Sequence, residues 1–203
     1  MKTAVIFLAP GFEEIEALTP ADYLRRAGVK VTTVAVPQDG IIEQLVPGTH
    51  GITVQADITI KEYLKQTGTN VPDAVIVPGG MPGAANIGAC SDAVELIKKV
   101  YAAKKLTAAI CAAPAVVLVK TGVLAGREWT CYPGMEEQVS KYCSEADTML
   151  KGSIHKSGVP FVTDGNVVTS RGPGTAEQFA MELVRILCGQ AAAEKIHAGC
   201  VQR

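Results

Sequence analysis

The sequence predicts an α/β chain with a parallel sheet covered by helices on both faces. Three observations lead there. Short, nearly unbroken apolar runs recur along the chain, and segments of helical spacing separate them, as expected for strands buried on both sides. Gly and Pro punctuate the ends of most runs. Composition leaves room for a large core: of 203 residues, 48% are hydrophobic and 19% charged.

Residues 3–8 are too short for a helix and rich in branched side chains, so they read as a buried strand. Pro10-Gly11 ends it. Residues 14–27 place apolar side chains at 15, 18, 24 and 27, a helical face, and Gly28 stops that helix. Residues 29–36 form the second strand, closed by Pro37. Residues 73–77 form the third, closed by Pro78-Gly79-Gly80. Ser91 then serves as N-cap for a helix reaching about residue 103. Residues 106–110 are a fourth strand, followed by a helix from Ala113 or Pro114. Residues 167–170 are a further strand, and 175–188 a further helix, with Thr175 a candidate N-cap. Two stretches break the alternation, 40–57 and 129–164. Short extra strands are expected there, with a small hairpin. No repeat and no linker composition interrupts the chain, so one domain over 1–203 is expected.

Several function classes fall away on composition. Nineteen basic against twenty acidic residues give a net charge of −1, which does not suit a nucleic-acid reader. Mean hydropathy is high at +0.22, yet the longest apolar-leaning run, 106–119, is interrupted by Thr107 and Pro114 and is too short to span a bilayer. The apolar start at residues 4–9 is too brief for a secretory signal, and acidic residues follow at once. A cytoplasmic protein with no membrane partner is expected. The six cysteines contain no C-x-x-C pair, and their spacing suits neither a zinc site nor a disulfide framework; no metal site is expected. Neither G-x-G-x-x-G after the first strand nor G-x-x-x-x-G-K-[ST] occurs, which removes the two commonest phosphate cradles.

The segment Ala108-Ala109-Ile110-Cys111-Ala112-Ala113-Pro114 is the most informative. A strand runs into a cysteine and then directly into a helix, the layout of a nucleophile elbow, with small Ala109 and Ala113 at the two crowded positions. A helix N-terminus beyond Cys111 is expected to lower its pKa. Functional groups of such sheets gather beyond the carboxyl ends of the strands. Three glutamates, Glu13, Glu14 and Glu16, fall at the end of the first strand. One of them, facing inward, would share a proton with Cys111, its own pKa raised by burial. Gly79 and Gly80 let backbone approach a substrate and present N–H donors. The three histidines, His50, His155 and His197, fall at no main strand end, so a Cys-His hydrolase is not supported, although His50 lies within plausible reach of the site.

Together these motifs resemble the ThiJ/PfpI superfamily, and more closely its protein deglycase (Parkinson-disease protein) branch. The resemblance rests on residues 10–16, 25–28, 77–80, 109–114 and 169–175 and runs over essentially the whole chain. It implies a flavodoxin-like three-layer sandwich, mainly parallel, that forms a homodimer and needs no cofactor. It puts the reactive cysteine at Cys111, its protonated glutamate partner at Glu16, and oxyanion-holding N–H groups at Gly80 and Ala112. Arg26 and Arg171 match family arginines near the active site or the dimer interface. Ala112 replaces the histidine of peptidase and glutaminase relatives, so those activities are not expected. Tyr132 stands where the branch often carries histidine, His50 stands at a common arginine position, and Gln55 aligns with a second cysteine of some relatives. The resemblance implies a cofactor-independent glyoxalase or deglycase acting on methylglyoxal, glyoxal or glycated adducts. Gly79, Tyr132, Arg26, Arg171 and His50 would bind substrate. The alternative is a redox sensor or stress-protective protein acting through oxidation of Cys111.

Overall fold

The computed structural model describes residues 1–202. In chain order, strands and helices are β1 (Thr3–Leu8), α1 (Glu14–Arg26), β2 (Lys30–Ala35), β3 (Leu45–Pro47), β4 (Thr53–Gln55), β5 (Ile58–Thr59), α2 (Ile60–Thr67), β6 (Ala74–Val77), α3 (Gly83–Ala89), α4 (Ser91–Ala102) and β7 (Leu106–Ile110). There follow α5 (Ala113–Val116), β8 (Glu128–Trp129), α6 (Val139–Tyr142), α7 (Ala146–Met149), β9 (Ile154–His155), β10 (Phe161–Asp164), β11 (Val167–Ser170), α8 (Ala176–Cys188) and α9 (Gln190–Gly199). Seven strands form the main sheet in the order β10-β11-β7-β6-β1-β2-β5. All neighbours pair in parallel except β10, which returns antiparallel to β11 at the edge.

Alternation along the strands sorts side chains into two cores, one on each face of the sheet. Val5 and Phe7 of β1 join Val75, Val77 and Ala109 on one face, under Ile60 and Tyr63 of α2 and Leu96, Ile97 and Val100 of α4. Ala4, Ile6 and Leu8 join Ile76, Ile110 and Val168 on the other, under Leu24 of α1, Phe179 and Leu183 of α8 and Ile196 of α9. The result is the three-layer, flavodoxin-like sandwich the sequence implies. No helix among the described residues is long and apolar enough to cross a membrane.

Some expectations are corrected. The outward face of α1 carries Ile15 and Leu18, both exposed, whereas Glu14, Glu16, Ala17, Ala21 and Leu24 are buried. Two acidic side chains thus displace two apolar ones from the interior, because Glu14 and Glu16 have partners there. Ser91 is already helical; Cys90 takes the N-cap position and no side chain caps the helix. Thr175 sits at the α8 N-cap, but its hydroxyl bonds Gly172 O and Ser170 Oγ rather than the helix N–H groups. Helix α2 was readable in principle, since Thr59 and Glu62 form a full capping box. Helix α3 was not: its sequence, GAANIGA, has two glycines and is held by its surroundings. The expected hairpin in 40–57 is the antiparallel β3–β4 pair.

Candidate active site

Strand order reverses at β1: β2 follows on one side, and the chain then crosses to place β6 and β7 on the other. Such a switch point opens a crevice at the carboxyl ends of the strands. Glu16 arrives there on the first turn of α1, Gly79 and Gly80 follow β6, and Cys111 follows β7.

Cys111 adopts φ +63°, in the left-handed region, where a side chain costs about 1–2 kcal/mol. Both of its peptide groups are pinned. Its N–H donates to Ser170 O at 2.9 Å, and its carbonyl accepts from Tyr132 N–H at 2.8 Å. Ala109 and Ala113 are fully buried, as the crowding of an elbow requires. The side chain of Cys111 stays half-buried.

Glu16 is completely buried. Its Oε2 accepts the Gly79 N–H at 2.8 Å, and its Oε1 has no hydrogen-bond partner among the described residues. The Cys111 side chain lies across Gly79 from the carboxyl. Gly79 is the spacer between them. A Cβ there would stand 2.6 Å from Cys111 Cβ, 2.8 Å from Glu16 Oε2 and 3.0 Å from Ala112 N. Gly80 has φ +82°, and a Cβ on it would run into the backbone of Gly11, Phe12 and Glu13.

Burial dominates the electrostatics. It pushes Glu16 up to about 8, against the Gly79 N–H and the thiol that favour the carboxylate, with the nearby Glu13 charge adding to the rise. Cys111 is not lowered as the helix-dipole argument expects. Burial first, then the Glu16 charge beside it, raise its pKa; only the N–H groups of Gly80 and Ala112 pull it down. Helix α5 is a single turn of four residues, too short to supply a strong dipole. Thiol and carboxyl therefore titrate as a pair that resists carrying two charges.

The other two glutamates have different tasks. Glu14 accepts the backbone N–H groups of His50 at 2.8 Å and Ile52 at 3.3 Å, and its Oε2 lies 3.0 Å from His50 Nδ1. Burial opposes its ionisation, but these N–H groups and the ring hold its pKa below the usual value. It ties the β3–β4 connection to α1. Glu13 is 3.5 Å from His50 Nδ1 and is raised, chiefly by burial. His50 is exposed, and Glu14 first and then Glu13 hold its pKa up.

Thus Cys111, Glu16, Gly79, Gly80 and Ala112 come together, with His50 beside the same helix start. Tyr132 and Arg171 line a neighbouring surface hollow with Gly172 and Pro173. Arg26 is not brought to the site. It lies ten residues along α1 from Glu16, about 15 Å at helical rise, exposed and paired with Asp22 at 2.6 Å. Ser170, whose carbonyl anchors the elbow, was missed; a backbone acceptor leaves no trace in residue type.

The DJ-1/PfpI family model matches residues 2–186. Protein dj-1beta of Drosophila melanogaster is 36% identical over 200 residues, covering 98% of this chain and 96% of its own. A deglycase of Pyrococcus abyssi is 32% identical, covering 90% of this chain and 98% of its own. The crystal structure of a C103A mutant of a DJ-1 superfamily protein from Salmonella typhimurium superposes with TM-score 0.85 at 31% identity, covering both chains completely. Fold, elbow and full-length similarity lead to one assignment: the chain belongs to the DJ-1/PfpI family.

Proposed function

We propose that the protein is a cofactor-independent glyoxalase, converting methylglyoxal or glyoxal and water to lactate or glycolate, with deglycase activity as a related use of the same site. The observation that carries this reading is the fully buried Glu16 carboxyl facing Cys111 across Gly79, with one oxygen unpartnered among the described residues. A carboxyl titrating near 8 both gives and takes protons around neutral pH, which is what a proton shuttle needs.

Cys111 sulfur adds to the aldehyde carbon and the aldehyde oxygen takes up the thiol proton, giving a hemithioacetal. Glu16 carboxylate removes the proton from that carbon and returns it to the adjacent carbon through an enediol, leaving a thioester. Water then cleaves the thioester, the proton returns to the sulfur, and the hydroxy acid leaves. The N–H groups of Gly80 and Ala112, which favour the Cys111 thiolate, would hold the oxygen charge that develops one bond away. Tyr132 and Arg171 would meet the rest of the substrate. We place the protein in the cytoplasm as a homodimer of one-domain chains. Exposed Ile15 and Leu18 on α1 would supply apolar surface for the dimer contact.

The test is lactate formation from methylglyoxal without glutathione, metal or amine buffer. Wild type should form lactate catalytically, and Cys111→Ala should fall to background. Aldehyde loss without lactate would sink the enzyme reading. It would favour the second, in which Cys111 senses oxidants. The half-buried thiol beside a carboxyl able to hydrogen-bond a sulfinate supports that alternative.

A further inference from the structure

A second cluster lies outside the elbow, on the 129–164 excursion. Cys131 Sγ stands 3.7 Å from Glu136 Oε2 and 3.7 Å from His155 Nε2. One donor atom from each residue falls within 4.8 Å of the others. We propose that Cys131, Glu136 and His155 form a binding site for a divalent cation of zinc type, with the fourth position open to water.

Spacing supports this first. A tetrahedral zinc with a Zn–S bond of about 2.3 Å and Zn–N or Zn–O bonds of about 2.0 Å holds its sulfur about 3.5 Å from each lighter donor. The two separations from sulfur therefore need close by only a few tenths of an ångström. Donor chemistry comes next. Sulfur, imidazole and carboxylate suit zinc or cobalt, not calcium or magnesium, which take oxygen alone.

The donors also stand on fixed backbone. Trp129 and His155 are register partners in the β8–β9 pair. The Trp129 indole meets the His155 ring edge-on with centroids 5.0 Å apart, setting its orientation. Two successive turns, Met135 N–H to Tyr132 O and Gln138 N–H to Met135 O, bring Glu136 back over Cys131. Cys131 is buried, while His155 keeps 20% and Glu136 26% of its side chain exposed, an entry for the ion.

A Cys-His-Glu relay does not fit. A relay puts the carboxylate beyond the imidazole, away from sulfur, whereas Glu136 touches both: its Oε2 faces the sulfur and its Oε1 stands 3.8 Å from His155 Nδ1. A dication bound there takes the thiolate and releases its proton to solvent. Bound there, it would join β8, the 136–138 turn and β9, and it would stiffen Tyr132, whose N–H bonds the Cys111 carbonyl.

The probe is cobalt(II), titrated into full-length protein freed of metal by chelator. Wild type and Cys111→Ala should each bind one equivalent and develop the near-ultraviolet thiolate-to-cobalt charge-transfer absorption, which zinc abolishes by displacement. Cys131→Ser should lose that absorption, and His155→Gln should weaken binding at least about tenfold. Circular dichroism and the urea midpoint show whether each variant is folded; if Cys131→Ser is not, His155→Gln and Glu136→Gln decide. The absence of the band in wild type, its survival in folded Cys131→Ser, undiminished affinity in the histidine and glutamate variants, or its loss in Cys111→Ala would each overturn the site.

Discussion

The two ends of β6 treat an acidic side chain in opposite ways. At the amino end, Asp73 is saturated with partners. Its Oδ1 accepts from Lys105 Nζ at 2.8 Å and Lys2 Nζ at 3.3 Å, and its Oδ2 from the Thr3 N–H at 3.1 Å. Lys105 above all, then the Thr3 N–H and Lys2, overcome the cost of burial and hold its pKa far below the usual value. At the carboxyl end, Glu16 is deeper, has one N–H donor, and is pushed up to about 8. One end of the strand satisfies its charge and stabilises the sheet. The other leaves the carboxyl short of partners, so burial keeps it protonated near neutral pH beside a cysteine in a strained backbone conformation. Perturbed groups of the second kind mark functional sites; those of the first kind are structural.

The largest expected effect comes from giving the carboxyl end a permanent neutral group. Under the proposed mechanism, Glu16→Gln keeps the Gly79 N–H bond but cannot move a proton, so lactate formation should fall by about 10²–10⁴-fold. Stability should move the other way at high pH. Glu16 has a folded pKa near 8 against 4.5 for the ordinary group, so the folded state holds a proton that the unfolded state loses. Below 4.5 both states are protonated and nothing is lost; between 4.5 and 8 wild type loses stability as pH rises, on the order of 4 to 5 kcal/mol. Urea midpoints measured across that window should slope downward for wild type and be flatter for Glu16→Gln. Parallel slopes would show that Glu16 is not the group held protonated.

A smaller effect is expected from filling the space between the two reacting groups. The Cβ of Gly79→Ala would sit 2.6 Å from Cys111 Cβ and 2.8 Å from Glu16 Oε2, so one of them must shift. The cost should be about 1–3 kcal/mol in urea unfolding. Turnover should drop at least tenfold, since displacement by about an ångström costs catalysis far more than it costs binding. A stable, fully active variant would mean that turnover does not depend on the spacing of thiol and carboxyl across Gly79.

Much of the fold was legible in the sequence, for a physical reason. Strands β1 and β7 were read at their observed boundaries because a strand covered on both faces is apolar nearly throughout, and that run is visible residue by residue. Cys111 was legible because strand, cysteine and helix are consecutive. The inward face of α1 was not, because Ile15 and Leu18 look like core and Glu14 and Glu16 look like surface until their partners on other elements are known. For the same reason three glutamates could not be separated by sequence into one buried across from Cys111, one hairpin anchor and one facing His50. The sign of the Cys111 shift was missed because a four-residue helix and a buried carboxyl neighbour do not show in local spacing. Cys131, Glu136 and His155 escaped notice because their convergence is made by two turns and the pairing of β8 with β9.

The smallest expected effect lies at the amino end and completes the contrast. Asp73→Asn keeps an acceptor for Thr3 but removes the charge that Lys2 and Lys105 share, and two lysines are then left facing a neutral group. Lys2 is about half exposed and Lys105 nearly so, so screening limits the loss to about 1–2 kcal/mol at neutral pH. Because the folded pKa of Asp73 is depressed, its contribution is present above about 3.8, its ordinary value, and is lost as pH falls below that. The urea midpoints of wild type and Asp73→Asn should therefore converge in acid, opposite in sign to the loss of stability with rising pH that Glu16 gives between 4.5 and 8. Activity should be unchanged, since Asp73 sits at the opposite end of β6 from Gly79. If Asp73→Asn impaired lactate formation as well as stability, the two ends of the strand would be coupled, and the division between a stabilising and a reactive end would fail.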